Sequence, residues 1–402
     1  MNIQKLNNRI IENYFLLLTI NAIIFLLIPK LAIFEYIVFP LCCYIIGVKY
    51  LPKNKTSIFD IIIMIIIIWM CFTWIINDYP NKIILILRCL GSQIAFMMFY
   101  LVGKNARSDV YIFFRKSIIP LSICCIIGIY FFFLPPGWYM ERIINQENFD
   151  GYNLLELTRL KSVFASPYHI AYFCSITSIY MIFCIIKNKE YATNYNKYIL
   201  LFLLAMSFAM MRAPILCFFI SIFIGIFYSI KYCPNSKFLF SIILSICVII
   251  IIGSVIISYI DNNILNFMTS KLDSILNNSD ELMDNRLDLG ISYNLWGDGA
   301  GRHAIYADKY GSPSYRDSEY TKWIIEQGYI GIVIFFTLLF MLFLKCLRHF
   351  KDLHFELCIL IFFSITMIGA NSLTTADKHC FIFWLIAGKI AGYSKQKKYL
   401  YE

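Results

Sequence analysis

Residues 61–68 read Ile-Ile-Ile-Met-Ile-Ile-Ile-Ile, eight apolar side chains without a break inside an apolar run over about 58–77. Such a run has neither the polar stripe of a surface helix nor the polar alternation of a half-buried strand, so all its faces must be kept from water. Comparable runs recur along the chain, and crossing a hydrocarbon core takes about 17–25 residues as a helix. Helices are the form such runs must take, since lipid offers no partner to backbone N–H and C=O groups. A membrane barrel would instead alternate lipid-facing and lumen-facing residues. Composition agrees, with 60% of residues hydrophobic and 15% charged, against about 25% charged in soluble domains. The sequence therefore predicts an all-α polytopic membrane protein.

Hydropathy places about twelve transmembrane helices, near residues 14–29, 32–48, 58–77, 83–102, 117–134, 167–187, 198–211, 214–230, 239–259, 322–344, 355–371 and 379–393. The pair flanking Arg212 can also be read as one long helix. With the N-terminus inside, 20 of the 35 lysines and arginines fall in short cytoplasmic loops and at the termini, while the short outer turns hold Lys30, Lys82, Arg212 and Lys378. That asymmetry predicts cytoplasmic termini. It also accounts for the net charge of +10 without nucleic acid as a partner. The chain then divides into helices one to five (1–134), a first extracytoplasmic loop (135–166), helices six to nine (167–260), a second loop (261–321), and the last three helices with a cytoplasmic tail (322–402). Neither long loop contains any of the fourteen cysteines, so a disulfide framework and a metal cluster are not expected.

Both loops exceed the length of about 12–15 residues beyond which connections are usually functional or disordered, and their apolar and aromatic residues speak against disorder. Residues 264–282 carry apolar side chains on a helical period, as an amphipathic helix would. The longer loop has ten acidic residues against five basic ones, so it is no general anion trap. An anion there has to be gripped by particular arginines, whose planar fork suits phosphate. Arg286 and Gly297 have ten residues between them, and Gly297-Asp-Gly-Ala-Gly301 leads on to Arg302 and His303. Such glycines allow a sharp turn or a close backbone approach; equally, this is a loop returning to the membrane with its arginines in water. Arg212, in Met211-Arg-Ala-Pro214, has no polar loop around it; a charge at membrane depth commonly marks a site, and the alternative is a boundary arginine snorkelling to lipid phosphates. Arg159, Lys161 and His169 arrive together at a span entrance. Arg316, Asp317 and Glu319 lead into the tenth span, where a carboxylate serves either as a general base or as a helix cap. No nucleotide phosphate loop, zincin histidine pair or Cys-x-x-Cys occurs, so no cofactor is expected.

The order of these features resembles the O-antigen polymerase and O-antigen ligase (Wzy/WaaL) superfamily over about residues 155–335. Arg159 with Phe164-Ala-Ser-Pro-Tyr168, Arg212 in its tight turn, Arg286 to Gly301, and Asp317-Ser-Glu-Tyr320 with Glu326-Gln-Gly328-Tyr-Ile-Gly331 carry the likeness. It implies a GT-C-like fold in the cytoplasmic (inner) membrane. The activity implied is metal-independent joining of undecaprenyl-diphosphate-linked oligosaccharide units at the outer face, into O-antigen, capsule or exopolysaccharide. By position, Arg212 and Arg286 would bind the leaving diphosphate with help from Arg159. Asp317, Glu319 and His169 are then the candidate bases. Membrane lipid is the other partner, and a regulator of chain length is one the resemblance admits. A ligase, or a flippase or exporter of lipid-linked sugars, is the alternative; the Asp317 found where ligases place a histidine favours the polymerase.

Overall fold

The computed structural model describes residues 56–105, 111–139, 166–187, 195–209, 211–232, 294–304, 307–312, 318–369 and 379–393, with the stretches 41–45 and 159–164 and a few isolated positions. Nine helices of eleven or more residues lie among the described residues. They are α1 (Ile58–Ile76), α2 (Lys82–Asn105), α3 (Tyr111–Phe133), α4 (Pro167–Ile186), α5 (Tyr195–Ala209), α6 (Arg212–Tyr232), α7 (Glu319–Arg348), α8 (Phe350–Gly369) and α9 (Cys380–Gly392). All but α5 and α9 are long and apolar enough to cross a membrane. The chain is a multi-pass helical membrane protein. The expected spans 14–29, 32–48 and 239–259 fall largely outside the described residues, as does the amphipathic helix expected over 264–282.

Local chemistry sets the helix ends. Ser57 and Asp60 form a reciprocal capping box at the start of α1. Ser166 caps α4 ahead of Pro167, which fills a first-turn position where no N–H is needed. Pro214 settles the relation of α5 to α6. In a continuous helix it would lack the N–H owed to Met210 and its ring would clash there. The chain instead ends one helix at Ala209 and starts the next at Arg212. The tenth expected span is extended at its N-terminal end, from 322 to Glu319, and at its C-terminal end to Arg348. Hydropathy trims that start because Glu319, Lys322 and Glu326 occupy the first turns, yet all three are buried.

Helix α4 is the hub of the bundle: 94% of its span is buried inside the protein, and it packs on α3, α5, α6 and α8. The described parts of both long loops lie at one end of the bundle, the loop end. Leu160 N–H donates to Phe208 O at the end of α5 (3.1 Å), and Asn77 at the end of α1 donates to Gly297 O (2.9 Å). At the opposite end, Asp60 holds Lys104 and accepts from Tyr100 OH (2.7 Å), tying α1 to α2. There too, Lys389 pairs with Glu356 at 3.0 Å, and Tyr111 OH donates to the same oxygen at 2.6 Å, joining α9, α8 and α3. Interhelical pairing thus accounts for Lys389, one of the charges the sequence places inside a span.

The second half of α2 and α9 approach most closely. A Cβ at Gly388 would meet Tyr100 O, and one at Gly103 would meet Leu385 O. Gly388 and Gly392 form the small-xxx-small spacing that lets membrane helices touch through their backbones. Gly388→Ala is therefore expected to lower stability by about 1–3 kcal/mol, read as a fall in Tm of the detergent-solubilised protein. Gly369→Ala, whose Cβ meets nothing within 4 Å, is expected to leave Tm unchanged.

Candidate functional site

Helix α7 does not run straight. Gly328, its tenth residue, has φ 69° and ψ −178°, a conformation essentially reserved for glycine. The break removes helical partners from both sides, and lipid around a helical bundle supplies no replacements. The glycine-rich turn 294–304 replaces them. Asp298 N–H donates to Ile325 O (2.8 Å) and Gly299 N–H to Glu326 O (3.1 Å). In return Tyr329 N–H donates to Asn294 O (3.2 Å) and Ile330 N–H to Leu295 O (3.3 Å). The remaining carbonyl, Gln327 O, accepts from the Trp69 indole at 2.8 Å. Five backbone groups beside the break thus have partners outside the helix.

The fit requires glycine on both sides. A Cβ at Gly297 would meet Glu326 O, and one at Gly328 would meet Leu295 O. Helix α1 clamps the outside of the turn: Trp74 donates to Ala300 O (2.8 Å), and Thr73 Oγ1 accepts from Ala300 N–H (3.2 Å). Trp69, Phe72 and Trp296 stack across the seam with ring separations of 5.3–5.9 Å. On the other side, Gly301 lies against Cys89, just before the π-helical turn Leu90–Ile94 of α2. A π-turn inside a helix often accompanies a functional site.

One carboxylate organises what the turn presents. Glu326 Oε2 accepts from Gly301 N–H (3.0 Å) and Oε1 from His303 N–H (2.9 Å), so both neighbours of Arg302 are held by the same side chain. Lys322, also buried, offsets the carboxylate charge at 3.8 Å. The Arg302 side chain is 27% exposed, its guanidinium 5.4 Å from the centre of the Tyr79 ring and 3.8 Å from Asp298. Asp298 also faces His303 Nε2 at 3.4 Å. The Lys82 ammonium approaches the same Tyr79 ring at 6.0 Å, and Arg88 lies 5.4 Å from the Tyr310 ring. Burial is the largest influence raising the Tyr79 phenol above its ordinary pKa, with Cys89 and Glu326 adding to it and Arg302 opposing. The turn thus holds a cation at the loop end of the bundle.

Gly297, Arg302 and His303 come together in this turn. Arg159 and Lys161 lie in the tucked segment 159–164, where Ser162 (φ 58°) is held by Tyr139 OH donating to its carbonyl at 3.1 Å. His169, in the first turn of α4, is buried 5.8 Å from His379. Glu319 is fully buried, and its two oxygens accept from Trp323 Nε1 (2.9 Å) and Leu373 N–H (2.8 Å). The carboxylate thereby ties α7 to the segment before α9. Ser318, between Asp317 and Glu319, supplies the cap of α7. Arg212 is the first residue of α6, while Arg286, Arg316 and Asp317 lie outside the described residues. The contribution of Glu326 was within reach of the sequence: Lys322 and Glu326 are charges four apart in an apolar helix, itself a signal of a buried pair. Tyr79 had no such signal.

Comparison of the chain with protein-family models, with curated proteins and with solved structures returns no match.

Two consequences follow for stability. Gly328→Ala forces a side chain into glycine-only backbone and against Leu295 O, and is expected to cost about 1–3 kcal/mol, seen as a lowered Tm and faster proteolysis within 294–304. His379, in the turn before α9, is buried against Tyr172 (4.2 Å) and has no hydrogen-bond partner at either ring nitrogen. Burial first, and His169 second, hold its pKa well below the ordinary value of 6.5. The unfolded chain takes up that proton first, so stability is full above about pH 6.5 and falls below it by about 1.4 kcal/mol per pH unit. Tm measured from pH 8 to 5 is expected to fall less steeply in His379→Phe than in the wild type.

Proposed function

We propose that the chain is a polymerase of lipid-linked sugar repeat units, with the loop end as its outer, catalytic face. The observation that carries this reading is the glycine-rich turn inserted beside the break in α7, which holds Arg302 partly exposed at the loop end of the bundle. A diphosphate on a polyprenyl tail carries its charge where water meets lipid. The donor is a growing chain on undecaprenyl diphosphate, and the acceptor is a single lipid-linked unit. An acceptor hydroxyl oxygen attacks the anomeric carbon of the donor. The bond from that carbon to the diphosphate oxygen breaks, and its electron pair leaves with the diphosphate. Arg302, with Arg212, Arg286 and Arg159, stabilises the charge that develops, a role fixed cations fill well in a water-poor site. Glu319 is committed to Trp323 and Leu373, and His169 is packed against Phe164 and His379. We therefore assign the proton to Asp317, beside the cap of α7.

The test is the surface polysaccharide of cells lacking the protein, complemented with wild type, Arg212→Ala, Arg286→Ala or Arg302→Ala at equal membrane abundance. Each variant is expected to reduce long-chain product by about 100-fold, leaving single units on the carrier or final acceptor. Arg348→Ala, at the opposite end of the bundle, is expected to restore full chains. Long polymer stranded on the carrier in the deletion would identify a ligase instead. Units trapped on the cytoplasmic face would identify a flippase.

A further inference from the structure

We infer that Glu326 is a dedicated positioning residue of a diphosphate-ester site whose binding cation is Arg302, with Tyr79 as its floor and Lys82 as a second cation. The inference rests on the polymerase reading for the identity of the ester; the site itself rests on geometry.

A charged side chain buried in a membrane bundle usually faces an opposite charge or a carbonyl. Glu326 does face Lys322, but at 3.8 Å, and its closer contacts are two backbone N–H groups on either side of a single residue. Clamping positions 301 and 303 together fixes the backbone direction at 302, and the turn is closed further by Arg302 N–H donating to Gly299 O at 3.1 Å. Glu326 also receives Gly299 N–H at its own carbonyl, so the turn is referenced three times to this one residue. The guanidinium so presented is not saturated. Its nearest counter-ion, Asp298, stands at 3.8 Å, beyond hydrogen-bond distance, and its Nε is buried with no hydrogen-bond partner. The Tyr79 hydroxyl, on a side chain only 7% exposed, also lacks a partner. Gly299 keeps space beside that hydroxyl, since a Cβ there would stand 3.3 Å from it and 2.8 Å from the ring. Two cations near one ring, an unsaturated fork and an unpaired hydroxyl describe a site for an oxygen-rich anion. Asp298 competes for the same fork and disfavours a weakly charged ligand, which favours a diphosphate over a single carboxylate. Lys322 cancels the Glu326 carboxylate, so the clamp does not repel the anion.

Glu326→Gln preserves size but replaces one acceptor oxygen with a donor, so one of the two N–H groups loses its bond. The full chain in phosphatidylcholine nanodiscs is titrated with inorganic diphosphate as wild type, Glu326→Gln, Arg302→Ala and the double variant, with Tm recorded for each. Saturable binding is expected in the wild type, weakened about tenfold by either single substitution. The double variant is expected to bind within about twofold of Arg302→Ala alone, because Glu326 acts through Arg302. A fold defect would instead lower binding by the same factor in both backgrounds, in step with Tm, and would overturn the inference. Wild-type binding in Glu326→Gln, or no saturable binding in the wild type, would overturn it as well. Discs containing phosphatidylglycerol distinguish the source of the phosphate. Competition by that lipid in the wild type but not in Arg302→Ala would make this a general headgroup site and overturn the assignment to diphosphate. If the binding cycle couples as expected while Arg302→Ala cells still make full-length polymer, the polymerase reading fails and the anion site stands.

Discussion

When an α-helix is interrupted inside hydrocarbon, carbonyls before the break and N–H groups after it lose their partners together, and each buried orphan costs several kcal/mol. In α7 that debt falls on Ile325 O, Glu326 O and Gln327 O on one side, and on Tyr329 N–H and Ile330 N–H on the other. The turn 294–299 and the Trp69 indole take up all five. Neither element can hold this shape alone. Without the turn, α7 has unpaired backbone within the bundle; without the break, the turn would bring its own unpaired groups into it. The remaining features of the site depend on this exchange. It places Gly301 and His303 within reach of Glu326, lays Ala300 between Thr73 and Trp74, and carries Arg302 to the Tyr79 ring.

The helices among the described residues were legible because hydropathy reports the one property a membrane helix cannot hide. Expected spans at 58–77 and 167–187 differ from α1 and α4 by a residue or so at either end, while 379–393 matches α9, a helix shorter than the seven that can cross a membrane. The starts of α3 and α7 were misjudged by six and three residues for a common reason. Arg115 and Lys116 near the start of α3, and Glu319 and Lys322 in α7, lower the local average although these residues are helical. A sliding average cannot distinguish a charge that ends a helix from one paired inside the bundle. The close approach of α2 and α9 was written in Gly103, Gly388 and Gly392 but needs a partner helix to be recognised, and one sequence does not name the partner.

The site was half legible. Gly297, Arg302 and His303 were read as candidates, and the structure brings them into one turn because the glycines permit a backbone approach no other residue allows. The stretch 316–319 offers a base or a helix cap; Ser318 provides the cap, and the Glu319 carboxylate bridges to Trp323 and Leu373. Its role depends on Leu373, more than fifty residues away, a distance across which local pattern carries no information. The same holds for Tyr79, whose importance comes from Arg302 and Gly299 rather than from its neighbours in the chain.

Charge pairing separates two populations of polar residues in the bundle, and the separation bears on where chemistry resides. At the opposite end Asp60 meets Lys104 and Tyr100, and Glu356 meets Lys389 at 3.0 Å and Tyr111 at 2.6 Å. Pairs this close lose little on burial, and they tie together helices that dispersion forces alone hold weakly in lipid. At the loop end, by contrast, Arg302 stops 3.8 Å short of Asp298 and leaves its Nε without a partner. Snorkelling does not account for this geometry, because a snorkelling arginine extends along its stem to find water or lipid phosphate. Arg302 is instead drawn back over an aromatic ring by a turn tied to α1 and α7 through its backbone. Holding a cation under-satisfied has a stability cost, and the structure spends several glycines and a buried carboxylate to maintain it. Such an arrangement makes physical sense where the missing interaction arrives with a ligand, since an already oriented guanidinium needs little reorganisation when negative charge develops beside it.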